Sequence, residues 1–330
     1  MKVLFIGGTG KISSACTVAA LQRGVDLYLL NRGKSWRTVP EGVKEIHADI
    51  SDKKSVVNAL NDQTFDVVVN WIVFTPEEIE RDIDLFKGRT GQYIFISSAS
   101  AYHKPVISLP ITESTPLHNP FWSYSQKKIA CEKRLYRACF EENFPITIVR
   151  PSHTYDETML IVSGNYTTVN RMRKGKKVII HGDGTSLWTV THNSDFAKGF
   201  TGLLGNHYAI GEAVHITSDQ VLTWNQIYEL VAARAGAELQ AVHLPSELIA
   251  AYDSEWGAGL LGDKSHSAVF DNTKIKRLVP DFNASIPFSR GIETIMNWYD
   301  ADSSRQQVDT KLDALMDRLV ERYSSLFPPL

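Results

Sequence analysis

Val3-Leu-Phe-Ile-Gly-Gly-Thr-Gly-Lys-Ile-Ser13 is the stretch whose reading decides the fold. Four apolar residues without polar alternation predict a strand buried on both faces. The glycines that follow let the backbone turn tightly and approach a ligand closely. From Ile12 to Arg23 the pattern is helical and stops at Gly24. A glycine-rich turn between a first strand and a first helix is where a pyrophosphate sits, at the helix N-terminus. Gly7, Thr9, Gly10, Lys11 and Ile12 are therefore expected to hold a dinucleotide. Ser13 occupies the third glycine position of the usual GxxGxxG spacing, and its small side chain still permits helix–strand packing.

Downstream, strand and helix patterns alternate. Strands are expected at Asp26–Leu30, Lys44–Ala48, Phe65–Val69, Gln92–Ile96 and Ile146–Val149. Helices are expected at 51–61, capped by Ser51, at 77–87 and at 124–142. This order predicts an α/β chain with a six-stranded, Rossmann-type doubly wound parallel sheet. A dinucleotide-binding domain over 1–159 and a smaller, mixed C-terminal substrate lobe, mainly over 160–302, follow from it, with strands between 177 and 216 returning to the sheet. Thr223 caps a further helix to Ala235. Residues 303–327 read as a final amphipathic helix with Val308, Leu312, Leu315 and Leu319 on one face, packed on its own subunit.

Composition is that of an ordinary globular chain: 330 residues, 43% hydrophobic and 22% charged, net charge −2. No basic excess indicates a nucleic-acid face. Cys16, Cys131 and Cys139 form no CxxC pair or metal-ligand spacing, and suit a reducing compartment. His181, His192 and His215 read as structural, so no metal is expected. The N-terminal apolar run is too short for a signal peptide, and no span approaches membrane length. A cytoplasmic protein is expected.

Chemistry concentrates in two places. Tyr124-Ser-Gln-Lys-Lys128 puts a phenol and an ammonium one helical turn apart, where the cation would favour phenolate. Upstream, Ile94-Phe-Ile-Ser-Ser-Ala-Ser-Ala-Tyr102 carries a strand into a serine-rich loop whose hydroxyl can share a proton with Tyr124. At the end of the second strand stands Asn31-Arg-Gly-Lys34, without the acid that usually accepts from an adenosine ribose. Arg32 and Lys34 could pair with a 2′-phosphate instead, which tilts the choice toward NADP over NAD. Asp49 and Ile50 follow the third strand and are placed to meet adenine, and Trp71 follows the fourth. His103 borders the expected pocket.

These motifs together resemble the extended short-chain dehydrogenase/reductases, the NAD-dependent epimerase/dehydratase family. The resemblance spans about residues 1–299. It implies Tyr124 as acid/base, Lys128 on the nicotinamide ribose, and Ser98 orienting substrate. Ser98 is chosen over Ser97 and Ser100 because it lies four residues before Tyr102. Arg150-Pro-Ser-His-Thr-Tyr155 is similar to the family's RPxNVYG stretch, which brings Pro151 to the cofactor and His153 to the substrate. Gly182-Asp-Gly184 to Asp195 resembles its GDG…VHVxD stretch.

The departures narrow the activity. Ala99-Ser100 replaces the Asp-Glu of the family's dehydratases, so dehydration is disfavoured and Ser100 becomes a substrate contact. Trp188 stands where an Arg commonly grips a nucleotide diphosphate, which favours simpler sugars or smaller carbonyl compounds. The expectation is an NAD(P)-dependent epimerase or ketoreductase acting on a sugar-like molecule. A homodimer through the Tyr124 helix is implied by the resemblance. The Asn31–Lys34 spacing and the Gly182–Thr189 stretch also resemble an atypical, chloroplast stem-loop RNA-binding branch. RNA binding or cofactor sensing on the same fold is the alternative.

Overall fold

The computed structural model describes residues 1–326. Seven parallel strands form the central sheet, in the order Ala213–Ile216, Ile146–Pro151, Thr90–Ile96, Phe65–Asn70, Lys2–Ile6, Asp26–Asn31, Lys44–His47. The register pairs Val3 with both Leu27 and Val67. Chain order reverses beside Lys2–Ile6, so the loops after this strand and after Phe65–Asn70 splay apart. Such a point makes a crevice at the carboxyl edge of a doubly wound sheet.

Pleating divides the first strand between two cores. Val3 and Phe5 pack with Leu29, Val69 and Phe200 on one face, whereas Leu4 and Ile6 pack with Leu30, Val68 and Phe95 on the other. A third core lies outside the sheet and joins Trp188 and Trp224 to Tyr155, Phe288 and Tyr299.

The seventh strand, Ala213–Ile216, within the span expected to return strands to the sheet, pairs with Ile148–Pro151. Val178–His181 does not join it. That segment pairs in parallel with Ala241–Leu244 in a separate two-stranded sheet. The second helix is Lys53–Leu60, and its cap is Asp52, not Ser51. Asp49 takes the Ser51 amide and hydroxyl (3.0 and 2.7 Å), and this local turn delays the helix by two residues.

Near the C-terminus, the expected helix over 303–327 is shorter. A 3₁₀ turn spans Ser303–Arg305, and the helix runs Thr310–Ser324 from an Asp309 cap. Val308 therefore precedes it and packs on the third core. Phe327 lies outside the described residues. Leu315, Met316 and Leu319 bury against Ile179 and Leu244 of the same chain. Arg171 is buried, and its guanidinium holds Asp313 at 2.5 Å and Asp317 at 2.7 Å. No described helix is long and apolar enough to cross a membrane.

Candidate active site

The glycine turn is shaped by contacts that a side chain would break. Gly7 and Gly8 have φ of +96° and +109°. A Cβ on Gly8 would stand 2.6 Å from Leu29 Cδ2, and one on Gly7 would meet Trp71 Cβ at 3.3 Å. Ser13 Oγ accepts from the Gly10 amide (2.8 Å), so the residue in the third glycine position braces the turn. A cleft of about 770 Å³ opens beside it, lined by Gly7, Thr9, Asn31, Arg32, Asp49 and Ile50. A bare backbone bending past a helix N-terminus into a cleft of this size fits a dinucleotide. Six of the residues expected at the cofactor lie along it.

Others differ in place. Trp71 does not line the cleft: its ring turns into the core, 4.7 Å from Phe200 and 5.6 Å from Phe5. Ile72 and Phe74 present their side chains instead. Lys11 faces an outer cavity, Ile12 and Pro151 face the catalytic cavity, and Gly10 lines neither. Asn31 spends its amide on the turn, accepting from Gly33 N (2.8 Å) and donating to Glu45 (3.0 Å). Arg32 lies 3.6 Å from Asp49, both largely exposed. Arg37 escaped the sequence reading. It lines the cleft and reaches Asp156 (2.6 Å) and Ser14 Oγ (3.2 Å), beside the start of the first helix. Asp156 replaces the family's glycine, and that departure was the available signal.

A second cavity, about 340 Å³, gathers the residues expected to carry the chemistry. Ser98, Ser100, Tyr124, Pro151, His153 and Trp188 line it. Ser98 Oγ lies 2.9 Å from Ser100 Oγ, which accepts from Ser125 Oγ at 2.8 Å. Ser97 is occupied elsewhere: it donates to Glu132 (2.5 Å), which also holds the buried Arg150 guanidinium at 2.6 Å. Phe74, from the nucleotide cleft, stands 6.4 Å from the Tyr124 ring, so a wall residue of each space packs against the other.

Lys128 is buried below Tyr124. Its Nζ donates to Val73 O (2.6 Å) and Ile96 O (2.8 Å) and lies 5.8 Å from the Tyr124 ring centre. An ammonium has three donors, so one is left. Burial brings Lys128 down to about 8. The Tyr124 phenol moves up rather than down: burial raises it, and the nearby Ser98 hydroxyl only partly offsets that. The helical spacing alone predicts a lowered phenol; burial outweighs that here, and the ammonium gives two of its donors to the carbonyls.

Trp188 Nε1 donates to His153 Nδ1 at 3.2 Å. An indole nitrogen only donates, so the His153 proton resides on Nε2. Burial and the nearby Lys264 and Lys11 hold this imidazole down to about 3, and hence neutral. Trp188 packs 5.3 Å from Trp224 and offers no charge to a diphosphate.

His103 does not line the cavity. Its Nδ1 meets Pro105 O (2.9 Å) and its ring lies against His118, so it closes its own loop. The following residue, Lys104, points inward instead, joined by Asp263 and Lys264 from a distant segment that carries no local motif. An outer cavity of about 670 Å³ shares Trp122, His153, Met159 and Lys264 with this one.

The other histidines have structural partners. His181 meets Lys264 O (3.0 Å), His192 caps the helix Asn193–Leu203, and His215 bridges Tyr102 (3.0 Å) and Asp271 O (2.7 Å).

Comparison with known proteins places this geometry. The profile of the NAD dependent epimerase/dehydratase family matches residues 3–216. A 2′-dehydrokanamycin reductase from Streptomyces kanamyceticus is 24% identical over 294 residues, covering 86% of this chain and 80% of that protein. Among solved structures, an epimerase from Methanothermobacter thermautotrophicus superimposes with a TM-score of 0.74 at 18% identity, covering 92% of this chain and 94% of that one. UDP-glucose 4-epimerase from Bifidobacterium longum, in complex with NAD+ and UDP, gives 0.72 at 18%, covering 92% and 100%. The chain belongs to the NAD-dependent epimerase/dehydratase family of extended short-chain dehydrogenase/reductases.

Proposed function

We propose that this enzyme reduces the carbonyl group of a sugar-derived substrate, with Tyr124, Ser98 and Lys128 as its catalytic set and NADP preferred. The observation that carries the reading is the convergence of the Ser98 and Tyr124 side chains on one cavity, with Phe74 of the nucleotide cleft packed 6.4 Å from the Tyr124 ring. A bound nicotinamide would supply the hydride. Tyr124 gives its phenolic proton to the carbonyl oxygen, so hydride and proton together make the alcohol. Ser98 donates to the same oxygen and holds it against the phenol. Lys128, fixed by Val73 O and Ile96 O, keeps a positive charge below the ring, which stabilises the phenolate left behind. Gly7, Thr9, Asn31, Arg32, Asp49 and Ile50 would hold the nucleotide, with Arg32 and Lys34 available to a 2′-phosphate.

Reduction is favoured over epimerisation of a nucleotide-sugar because, among the described residues, no arginine lines the catalytic cavity. The similar dehydrokanamycin reductase supports a sugar-like carbonyl substrate. NADPH oxidation at 340 nm over a panel of keto- and aldehydo-sugars tests the reading. Turnover by the wild type and its loss in Tyr124→Phe are expected. Equal turnover by both proteins, or none with any sugar, would overturn it.

A further inference from the structure

The mechanism leaves one buried ion pair unused. Lys104 is only 1% exposed, and its Nζ lies 3.9 Å from Asp263 Oδ1, whose side chain is 18% exposed. Among the described residues no hydrogen bond is made by the Lys104 ammonium or the Asp263 carboxylate. Both line the cavity that holds Ser98 and Tyr124. A buried ammonium without a hydrogen-bonded partner costs several kcal/mol in general, so an unmet pair inside a cavity calls for a ligand.

The surrounding chain fixes the two segments against each other. Lys104 N donates to His118 O at 2.7 Å. The buried Asn119 donates to Ser100 O (2.8 Å) and Gly262 O (2.6 Å), clamping the serine loop to the segment carrying Asp263. A Cβ on Gly262 would stand 2.7 Å from Trp122 Cβ, so glycine permits this close approach. Asp263 itself lies in a π-helical turn, Leu260–Lys264, a form of backbone frequent at functional sites.

We propose that Lys104 and Asp263 read the substrate, gripping a free hydroxyl on the carbon beside the reacting carbonyl. The hydroxyl oxygen accepts from Lys104 while its proton is donated to Asp263, which satisfies both charges. A bare methylene would leave both groups without a hydrogen bond. The substrate class is therefore an α-hydroxy ketone or aldehyde of sugar or cyclitol type. This inference rests on the reductase reading above and names its substrate more closely.

The test uses the full chain and two simple probes, cyclohexanone and 2-hydroxycyclohexanone, with NADPH or NADH, whichever binds. Wild type is expected to favour the hydroxyketone in kcat/KM by roughly tenfold or more, the effect of a charge-assisted hydrogen bond. In Asp263→Asn and in Lys104→Met the preference should fall to within about twofold, mainly through KM. Cofactor affinity, followed by fluorescence, should be unchanged in both variants and shows that they are folded. Equal use of both probes by the wild type, failure to reduce either while cofactor binds, or a variant that keeps the preference would overturn the inference. Absence of cofactor binding by the wild type would instead sink the reductase reading itself.

Discussion

At the scale of single residues, Tyr124 and Lys128 have separable effects. Replacing Tyr124 with Phe removes the proton donor and should lower kcat by about 10²- to 10⁴-fold, with dinucleotide affinity kept. Kinetics beside a binding titration check this. Lys128 makes a prediction about pH. Burial lowers it to about 8, so its charge, and the support it gives the phenolate, is present below that value and lost above it. The rate should fall as pH rises through about 8. In Lys128→Arg the guanidinium stays charged, so the fall should move to higher pH, and an unmoved limb would contradict the assignment. Much of this was legible in the sequence, because Tyr124 and Lys128 lie on one helix and spacing alone sets their neighbourhood. The direction of the Tyr124 shift was not legible. It is set by how deeply the phenol is buried, and the residues that bury it come from elements far from it in sequence.

At the scale of elements, the Tyr124 helix is tied to the sheet by Glu132, which meets Arg150 and Ser97 with 1% and 3% exposure for the two charged partners. Glu132→Gln leaves a buried guanidinium without its counter-charge and should destabilise the fold by about 3–5 kcal/mol, as read by denaturant unfolding. The glycine turn makes a second prediction. Gly8→Ala forces a Cβ onto Leu29 at positive φ, and should cost about 2 kcal/mol or more together with weaker dinucleotide binding. Strand positions were readable where apolar runs were continuous, as at Phe65–Asn70. The cap at Asp52 was not, since Ser51 and Asp52 are equally good caps until Asp49 captures Ser51. His103 and Lys104 show the same limit: adjacent in sequence, only one enters the cavity, and the loop geometry decides which.

At the scale of the whole molecule, buried neutral histidines link stability to pH. His153 is held down to about 3 and His181 to about 4, both by burial. Below about 6.5 the unfolded chain binds protons that the folded chain refuses, so this stability is present above 6.5 and is lost as pH falls toward 3–4. Denaturant midpoints should drop between pH 7.5 and 5, less so in His181→Gln, and a flat wild-type profile would contradict this. The doubly wound sheet was legible because its strands and helices alternate locally. The separate pairing of Val178–His181 with Ala241–Leu244 and the place of the Asp263 segment were not, for they are set by contacts with residues far along the chain. The central claim is that the glycine cleft feeds a dinucleotide to Tyr124. Calorimetric titration of NADP⁺, NADPH, NAD⁺ and NADH into protein freed of retained nucleotide tests it most directly. Saturable one-site binding, tighter for the phosphorylated pair, is predicted. Binding of none of the four would contradict the account.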